Sequence, residues 1–393
     1  MPVGYLVVVA LLAWATFLAL VSPRRPRALA AMSWRFSLVL NELSFVAFYW
    51  VLASTLLAFG QGNIDSVGGW AVFGLAVATT VGLVVVVWQG LRAGPAVNHA
   101  LDEGLGDGWR TTIDTGMAAR LRRRLPLARI LFGPFFVRRR DVERVADLSY
   151  GDAGRRNLLD VYRRRSHPSG GPLLVYLHGG GYSGGRKNRE ARPLLFHLAS
   201  QGWVCISANY RLRPTATFPD HLVDVKRVIA WVREHGHEYG ADPAVVFVAG
   251  SSAGGHLASI AALTPNDPEF QPGFEDADTS VSGVVCLYGY YGRYYSDPST
   301  AQLAPTSPMD HVRPDAPPFF VAHGDRDTLV PVEGARLFVE SLRGTSSNPV
   351  VYAELPGAQH GFDLFHSLRF ETVVNGVEAF AAWVRSREGA HRP

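Results

Sequence analysis

Cysteine and lysine are both rare in this chain. Its 393 residues contain two cysteines, Cys205 and Cys286, and two lysines, Lys187 and Lys226, so arginine carries almost all of the positive charge. Each cysteine lies in an apolar run typical of a strand, and we expect two buried core thiols rather than a disulfide or a reactive site. The cysteines therefore give no indication of an oxidising compartment.

Charged residues are also scarce. They make up 18% of the sequence, against about a quarter in a typical soluble protein, while hydrophobic residues make up 48% and the net charge is +4. The apolar excess is concentrated in the first ninety residues, so the composition averages two different parts of the chain. The remaining length is sufficient for one large domain.

Three apolar runs with little charge occupy residues 1–91, at about 3–21, 36–59 and 70–88. Each is long enough to cross a hydrocarbon core of about 30 Å as a helix, and we predict three transmembrane helices. The first run has no basic residue before it and two runs follow it, which favours a membrane span over the alternative of a cleaved signal peptide. Glu42 interrupts the second run, and a position at the membrane interface is favoured over one facing neighbouring helices.

The distribution of arginine predicts the orientation of these helices. The first loop holds four arginines, whereas the second loop, residues 60–69, has Asp65 as its one charged residue. Because basic loops stay on the cytoplasmic side, the N-terminus is expected outside and everything after Trp88 inside. The sequence thus predicts an integral cell-membrane protein with its C-terminal domain in the cytoplasm.

Residues 92–141 form a predicted basic juxtamembrane linker. Between Met117 and Arg140 there are eight arginines and no acidic residue, and Pro126 and Pro134 interrupt any long helix. Apolar residues alternate with the arginines, so the segment either lies on the anionic cytoplasmic leaflet or packs on the following domain as an irregular linker. No nucleic-acid-binding module accompanies the basic residues, which argues against a nucleic-acid partner.

Residues 142–393 show strands alternating with helices. Two strands around the turn 151–154 predict an antiparallel hairpin, and the apolar runs near Val204, Val245, Val281 and Phe319 suit the centre of a mostly parallel sheet. This pattern predicts an α/β domain with helices covering the sheet. The stretch at about 289–316 is rich in Tyr, Ser, Pro and Asp without periodicity, and we interpret it as an irregular cap insertion.

A Gly-x-Ser-x-Gly motif, Gly250-Ser251-Ser252-Ala253-Gly254, follows the apolar run 245–249 and leads into a predicted helix. This order of strand, tight turn and helix is typical of a nucleophile elbow, in which glycines allow a strained turn that exposes the serine. The alternative is a helix entry capped by a serine. The motif makes Ser252 the candidate nucleophile.

Two further candidates follow Ser252 directly after predicted strands. His323-Gly324-Asp325-Arg326-Asp327 offers an acid, either Asp325 or Asp327, and Gly357-Ala358-Gln359-His360-Gly361 offers the base His360. The order Ser, Asp, His is that of α/β-hydrolases, and all three positions fall at one edge of the predicted sheet. His178-Gly179-Gly180-Gly181 is expected to form an oxyanion hole, with amide donors from Gly180, Gly181 and Ala253.

These motifs together resemble the hormone-sensitive-lipase-type esterases of the α/β-hydrolase superfamily. The resemblance begins at about Asp147 and rests on the glycine-rich run with Tyr182, on Asn209-Tyr210-Arg211-Leu212 with Phe218-Pro219 and Asp224, on the serine motif, and on the two later motifs. It implies the α/β-hydrolase fold, with Asp327 as the acid and His360 as the base. The predicted membrane spans and basic linker replace the usual N-terminal cap, a layout similar to isoprenylcysteine methylesterases.

The resulting hypothesis is a membrane-anchored serine carboxylesterase that acts on a small, lipophilic ester without a metal or organic cofactor. Tyr182, Tyr290 and Tyr291 are expected to bind substrate, and Tyr294 and Tyr295 either line the same pocket or only pack the cap. The alternatives are an isoprenylcysteine methylesterase, an arylformamidase-like amide hydrolase, and a non-catalytic small-molecule receptor on a hydrolase fold.

Overall fold

The computed structural model describes residues 3–294 and 306–391, without the side chains of residues 390 and 391. Tyr295 and the middle of the predicted cap lie outside the described residues. The apolar N-terminal region forms α1 (Val3–Val21), α2 (Arg27–Glu42), α3 (Ser44–Gly60) and α4 (Val67–Leu91). These helices share a core of small and aliphatic side chains, and they leave many large apolar side chains exposed on their outer surface.

By length and composition, two helical stretches among the described residues are able to cross a membrane. They are α1 and the nearly continuous helix from Val67 to Leu105, and a third span exists if α2 and α3 are taken together. Those two helices meet at a bend of 86°, so the run predicted at 36–59 is not one straight helix. The bend lies at Leu43, whose backbone leaves the helical conformation.

Glu42 is buried and lies against α12 (Leu368–His391), a helix of the C-terminal domain. Its carboxylate accepts a hydrogen bond from the Ser367 hydroxyl at 2.5 Å and lies 3.4 Å from the guanidinium of Arg369. The side chain therefore faces a neighbouring helix, the less favoured of the two positions considered for it, and not the membrane interface that we favoured. Burial of a carboxylate beside a guanidinium satisfies both charges.

The region after α4 is packed more closely on the C-terminal domain than a linker would be. It contains α5 (Ala93–Leu105), α6 (Thr115–Arg120) and α7 (Leu127–Phe132). Val97, Leu101, Trp109 and Ile113 belong to the same core cluster as the sheet, so that core extends back to the start of α5. In the following stretch Ile130 and Val137 are buried, but four large apolar side chains are exposed: Leu127, Phe132, Phe135 and Phe136.

The C-terminal domain is built on an eight-stranded sheet of order β1-β2-β4-β3-β5-β6-β7-β8. The strands are β1 (Val142–Ser149), β2 (Leu158–Arg164), β3 (Gly171–Leu177), β4 (Val204–Ala208), β5 (Ala241–Ser251), β6 (Gly283–Leu287), β7 (Phe319–Gly324) and β8 (Val350–Leu355). The first two form the predicted antiparallel hairpin, and β4, β3 and β5–β8 run parallel. The predicted alternation of strands and helices is confirmed.

Helices cover both faces of this sheet, because alternate side chains of its central strands are apolar on each face. The helices are α8 (Arg192–Ser200), α9 (Asp220–His235), α10 (Ala253–Leu263), α11 (Val332–Thr345) and α12. One face packs against α5, α8 and α12, and the other against α9, α10 and α11. Cys205 and Cys286 are buried free thiols in β4 and β6, as predicted.

The parallel strands end at a common edge of the sheet. Leu177 pairs with Gly250, Ser251 with Leu287, and Gly324 with Leu355. The residues that follow β3, β5, β6, β7 and β8 therefore emerge side by side. This register brings together motifs that are far apart in the sequence, from the glycine-rich run after β3 to the His360 motif after β8.

Candidate active site

Ser252 lies in the tight turn between β5 and α10. Its backbone has φ 55° and ψ −118°, a strained conformation for a residue with a side chain. A Cβ on Gly250 would lie 2.2 Å from the carbonyl oxygen of Gly254, and one on Gly254 would lie 2.1 Å from that of Leu177. Both glycines are therefore sterically required, as the nucleophile-elbow interpretation demands.

The structure brings Ser252, His360 and Asp327 into one hydrogen-bonded line. His360 Nε2 lies 2.9 Å from Ser252 Oγ, and His360 Nδ1 lies 2.6 Å from Asp327 Oδ2. Asp327 is completely buried and His360 nearly so, whereas Ser252 is partly exposed. Such a line is able to remove the serine proton while the carboxylate stabilises the resulting imidazolium.

Asp327 is held ionised and fixed by its surroundings. Its Oδ1 accepts hydrogen bonds from the amides of Leu329 and Val330, at 2.9 and 2.8 Å. Although burial acts to raise the pKa of this carboxyl, its interactions with His360 and His323 hold the pKa well below its usual range. The carboxylate is therefore ionised at ordinary pH, with one oxygen left to orient His360.

Asp325, the other candidate acid, points elsewhere. Its Oδ1 accepts a hydrogen bond from the amide of Gly357 at 2.7 Å, at the start of the loop that carries His360. Burial raises the pKa of Asp325 above its usual value. Of the two acidic residues in this motif, Asp327 is the one that contacts the histidine.

The glycine-rich loop after β3 lies directly beside the serine. A Cβ on Gly179 would be 3.1 Å from Ser252 Cβ, and Gly180 and Gly181 have positive φ values of 117° and 58°. In the described residues, the amides of Gly180 and Gly181 donate to no other group. Ala253 is the first residue of α10, where the amide has no partner within the helix. Ala253 directly follows the serine, and Gly180 and Gly181 directly follow the glycine that lies against it.

His178 shapes this loop from beneath. Its ring stacks on Tyr210 with centroids 4.4 Å apart, and its Nδ1 lies 2.6 Å from the carbonyl oxygen of Gly179. Burial lowers the pKa of His178 to about 4, so the ring stays neutral at ordinary pH. These contacts fix the loop through the histidine ring.

A buried polar network beneath the site was not identified from the motifs. Asp363 is fully buried and accepts hydrogen bonds from Ser251 Oγ at 2.6 Å, from Tyr176 at 3.3 Å and from Tyr288. The Tyr288 ring packs edge-on against the His360 ring, with centroids 4.6 Å apart. In the sequence, Asp363 is an acidic residue three positions after the candidate base His360, outside the Ser, Asp, His order.

Glu190 extends this network to the glycine-rich loop. Its Oε2 accepts a hydrogen bond from the amide of Gly179 at 2.5 Å. Burial, with a further contribution from the charge of Asp363, raises the pKa of Glu190 to about 7. A carboxyl group that changes charge near neutral pH thus lies under the predicted oxyanion hole.

The substitution Glu190→Gln is expected to stabilise the folded protein above neutral pH. A carboxyl whose pKa is higher folded than unfolded contributes stability at low pH and loses it as the pH rises through the folded value. The loss amounts to up to roughly 3 kcal/mol, and the glutamine side chain avoids it while keeping an oxygen for the Gly179 amide. Melting temperatures from about pH 4.5 to about pH 8 cover the interval between the unfolded and folded pKa values and test this. Parallel declines in both proteins would contradict it.

The predicted substrate-binding tyrosines occupy different environments. Tyr182 and Tyr291 are almost fully buried, the first stacked on His221 and the second on Phe338. Both therefore belong to the core rather than to the surface of the cleft, because their rings complete apolar packing under the loops. Tyr290 is partly exposed and its amide donates to the carbonyl oxygen of Ser252 at 3.3 Å. It alone of the three adjoins the candidate nucleophile on an accessible surface.

Comparisons with known proteins relate the chain to esterases. The family described as BD-FAE matches residues 159–293. The chain is 40% identical over 99% of its length to a Mycobacterium tuberculosis protein named "Probable carboxylic ester hydrolase LipM", of which 95% is covered. "Esterase LipQ" of the same organism is 37% identical over 78% of this chain and 79% of its own.

The fold is also found among solved structures. A structure described as a truncated form of a carbohydrate esterase from gut microbiota superimposes with a TM-score of 0.52 at 20% identity, covering 61% of this chain and 96% of the other. Within the described residues, no group of three or more His, Cys, Asp or Glu side chains is arranged to hold a metal ion. From its identity to LipM over nearly the whole chain, together with the fold, we conclude that this protein belongs to the hormone-sensitive-lipase-like esterases of the α/β-hydrolase superfamily and is an ester-hydrolysing enzyme.

Proposed function

We propose that the enzyme is a serine carboxylesterase with Ser252 as nucleophile, His360 as general base and acid, and Asp327 as the residue that orients the histidine. The observation that carries this proposal is the continuous line of contacts of 2.9 and 2.6 Å through the three side chains. The amides of Gly180, Gly181 and Ala253 are proposed to bind the oxyanion. Hydrogen bonds that form only at the transition state accelerate the reaction more than those already present in the substrate complex.

The reaction follows from these positions in two halves. Ser252 Oγ attacks the ester carbonyl carbon while its proton passes to His360 Nε2, giving a tetrahedral intermediate whose oxyanion faces the glycine amides. Collapse of the intermediate expels the alcohol, which takes the proton from the histidine, and leaves the acyl group on Ser252. A water molecule, deprotonated by His360, then attacks the acyl-enzyme and releases the carboxylic acid.

The substrate class is tested by comparing the turnover of simple esters with that of the substrates of the alternative enzymes, under one set of conditions. We expect turnover of p-nitrophenyl esters, from acetyl to palmitoyl, with the chain-length optimum reporting whether the enzyme acts as an esterase or a lipase. A prenylcysteine methyl ester and a formanilide test the isoprenylcysteine methylesterase and arylformamidase alternatives. Faster turnover of the formanilide than of every ester would overturn the carboxylesterase proposal.

We further propose that the enzyme is anchored in the cell membrane with three spans and takes lipophilic esters. The catalytic domain supports this placement, because the Asp327 loop and α12 contact the apolar helices near their ends. Arg326 donates to the carbonyl oxygens of Ala19 and Leu20 near the end of α1, and Arg369 donates to that of Val86 near the end of α4. A site next to the ends of two spans lies close to the bilayer surface, where lipophilic substrates concentrate.

The proposed orientation predicts which surface positions are reachable from outside the cell. The native thiols give little background, because Cys205 and Cys286 are buried and burial raises the pKa of Cys286 to about 12. We expect Asp65→Cys, in the loop before α4, to react with a membrane-impermeant maleimide in intact cells. Asp152→Cys, on the exposed hairpin turn, should react only after permeabilisation. The reverse pattern would place the catalytic domain outside.

The basic segment has two parts with different proposed roles. Arg122 packs on α12, where it contacts Asn375 at 2.5 Å and the carboxylate of Glu371 at 2.5 Å, as a linker on the domain would. Further along, Phe132 and Phe136 expose three-quarters of their surface beside Arg138–Arg140. We propose that this second part lies on the anionic leaflet, since exposed aromatic and basic side chains together favour the lipid interface.

A further inference from the structure

The buried polar residues Ser33, Ser37 and Asn41 of α2 lie on one face of the helix, and this face meets the loop after β8 at Ser37 and Asn41. Ala30, Ser33, Trp34, Ser37, Leu38 and Asn41 recur at intervals of three and four residues, which places them along one stripe. Ser33, Ser37 and Asn41 are buried, whereas Phe36 and Val39 on the other side are exposed. A helix buried by its polar face is packed against groups that need hydrogen-bond partners.

The groups it meets belong to the loop after β8, which carries His360. The Trp34 indole nitrogen donates to the backbone carbonyl oxygen of His360 at 3.0 Å. Asn41 Nδ2 donates to the carbonyl oxygen of Gly357 at 2.9 Å. The two hydrogen bonds hold the loop at both ends of the four-residue stretch 357–360. Leu38 packs against the same loop, because a Cβ on Gly361 would lie 3.5 Å from a methyl group of the Leu38 side chain.

Gln359 connects this helix to the loop that carries Asp327. Its amide nitrogen donates to Ser37 Oγ at 3.3 Å, and its amide oxygen accepts from the backbone amide of Thr328 at 2.6 Å. The Thr328 hydroxyl in turn donates to the carbonyl oxygen of Ala30 in α2 at 3.1 Å. The loops of the proposed base and acid are thereby tied to one helix and to each other.

We propose that α2 is a positioning element of the active site, and that Trp34, Ser37 and Asn41 set the position of the His360 loop. The proposal rests on the catalytic role proposed for His360. The N-terminal region then contributes to catalysis in addition to its proposed role as a membrane anchor. None of the three residues needs to touch substrate, because each acts through the backbone or through Gln359.

The expected effect follows from the sensitivity of catalysis to small displacements of catalytic groups. A shift of about 1 Å in a catalytic group can lower the rate by about 100-fold. Trp34→Phe keeps a ring in the packed position but removes the hydrogen-bond donor to His360, and the carbonyl oxygen loses its partner. We expect kcat to fall by about 10- to 100-fold with KM changed little, since α2 supports the base rather than the substrate pocket.

Trp50→Phe is the matched control. Trp50 lies in α3, is 62% exposed and belongs to the same helical region. The two variants make the same chemical change, so a comparison of their kcat values and melting temperatures in the full-length protein separates positioning from general packing. Ser37→Ala, which removes the partner of Gln359 with little change in volume, is expected to lower kcat by a smaller factor in the same direction.

The rate at which a fluorophosphonate labels Ser252 supplies a readout that stability alone does not move. Labelling needs His360 in place to activate the serine, so it should slow in Trp34→Phe in proportion to kcat. A kcat for Trp34→Phe within about threefold of wild type, or equal losses in Trp34→Phe and Trp50→Phe, would overturn the positioning role. Full activity in His360→Gln would instead overturn the catalytic assignment on which the proposal rests.

Discussion

Replacing Ser252 by alanine is expected to lower kcat for ester hydrolysis by about a million-fold, to the residual rate that binding and oxyanion stabilisation provide. The variant keeps the elbow, because alanine has a smaller side chain and the two flanking glycines still make the turn. The substitution removes Ser252 Oγ, the proposed nucleophile, which lies 2.9 Å from His360 Nε2. Hydrolysis of p-nitrophenyl esters by membranes carrying each protein measures the effect.

Ser259→Ala is the matched control for this variant. Ser259 is buried in α10, the helix that follows Ser252, and its hydroxyl donates to the carbonyl oxygen of Gly255 at 2.8 Å without contacting His360. We expect it to keep near wild-type activity and to be labelled by a fluorophosphonate, whereas Ser252→Ala should not be labelled. Ester hydrolysis that survives in Ser252→Ala would refute the proposed nucleophile.

Replacing Asp327 by asparagine is expected to lower kcat by about ten-thousand-fold. In the wild type, one carboxylate oxygen accepts from the amides of Leu329 and Val330, and the other faces His360 Nδ1. The amide oxygen of asparagine must take the first position, so its NH₂ group points at the histidine. His360 would then carry its proton on Nε2 and would be unable to accept the proton of Ser252.

Asp325→Asn tests the specificity of that effect, because it makes the same change two residues away. Its side-chain oxygen would still accept the hydrogen bond from the Gly357 amide. We expect activity within a few-fold of wild type, measured as kcat on the same ester. If the two variants lost activity equally, the pair of acids would have to act together, and the single role given to Asp327 would be incorrect.

Much of the site could be predicted from the sequence because its parts are local. The Gly-x-Ser-x-Gly turn, the glycine-rich run and the two later motifs each follow a strand directly, and parallel strands place their ends at one edge. The structure brings Ser252, Asp327 and His360 together as the motif order implied. Local chemistry and sheet topology were sufficient for these positions.

The remaining features depend on contacts that no local pattern specifies. Tyr182 and Tyr291 follow motifs of the site, but whether a ring faces a cleft or the core is decided by packing from distant helices. The bend at Leu43 was missed because an apolar run of sufficient length fits one span, and the partners of Glu42 come from α12. The buried face of α2 was not predicted, because the partners of Trp34 and Asn41 lie more than 300 residues away in the sequence.

The contacts between α2 and the His360 loop have a consequence for the synthesis of the protein. Trp34 and His360 are separated by 326 residues, so the earliest helices leave the ribosome long before their partners exist. Contacts between such distant segments form late, because closing a long loop precedes any gain from the contacts. The buried face of α2 therefore has no contact with the catalytic loops while the sheet is being synthesised. The esterase becomes active only after β8 and the His360 loop have been made.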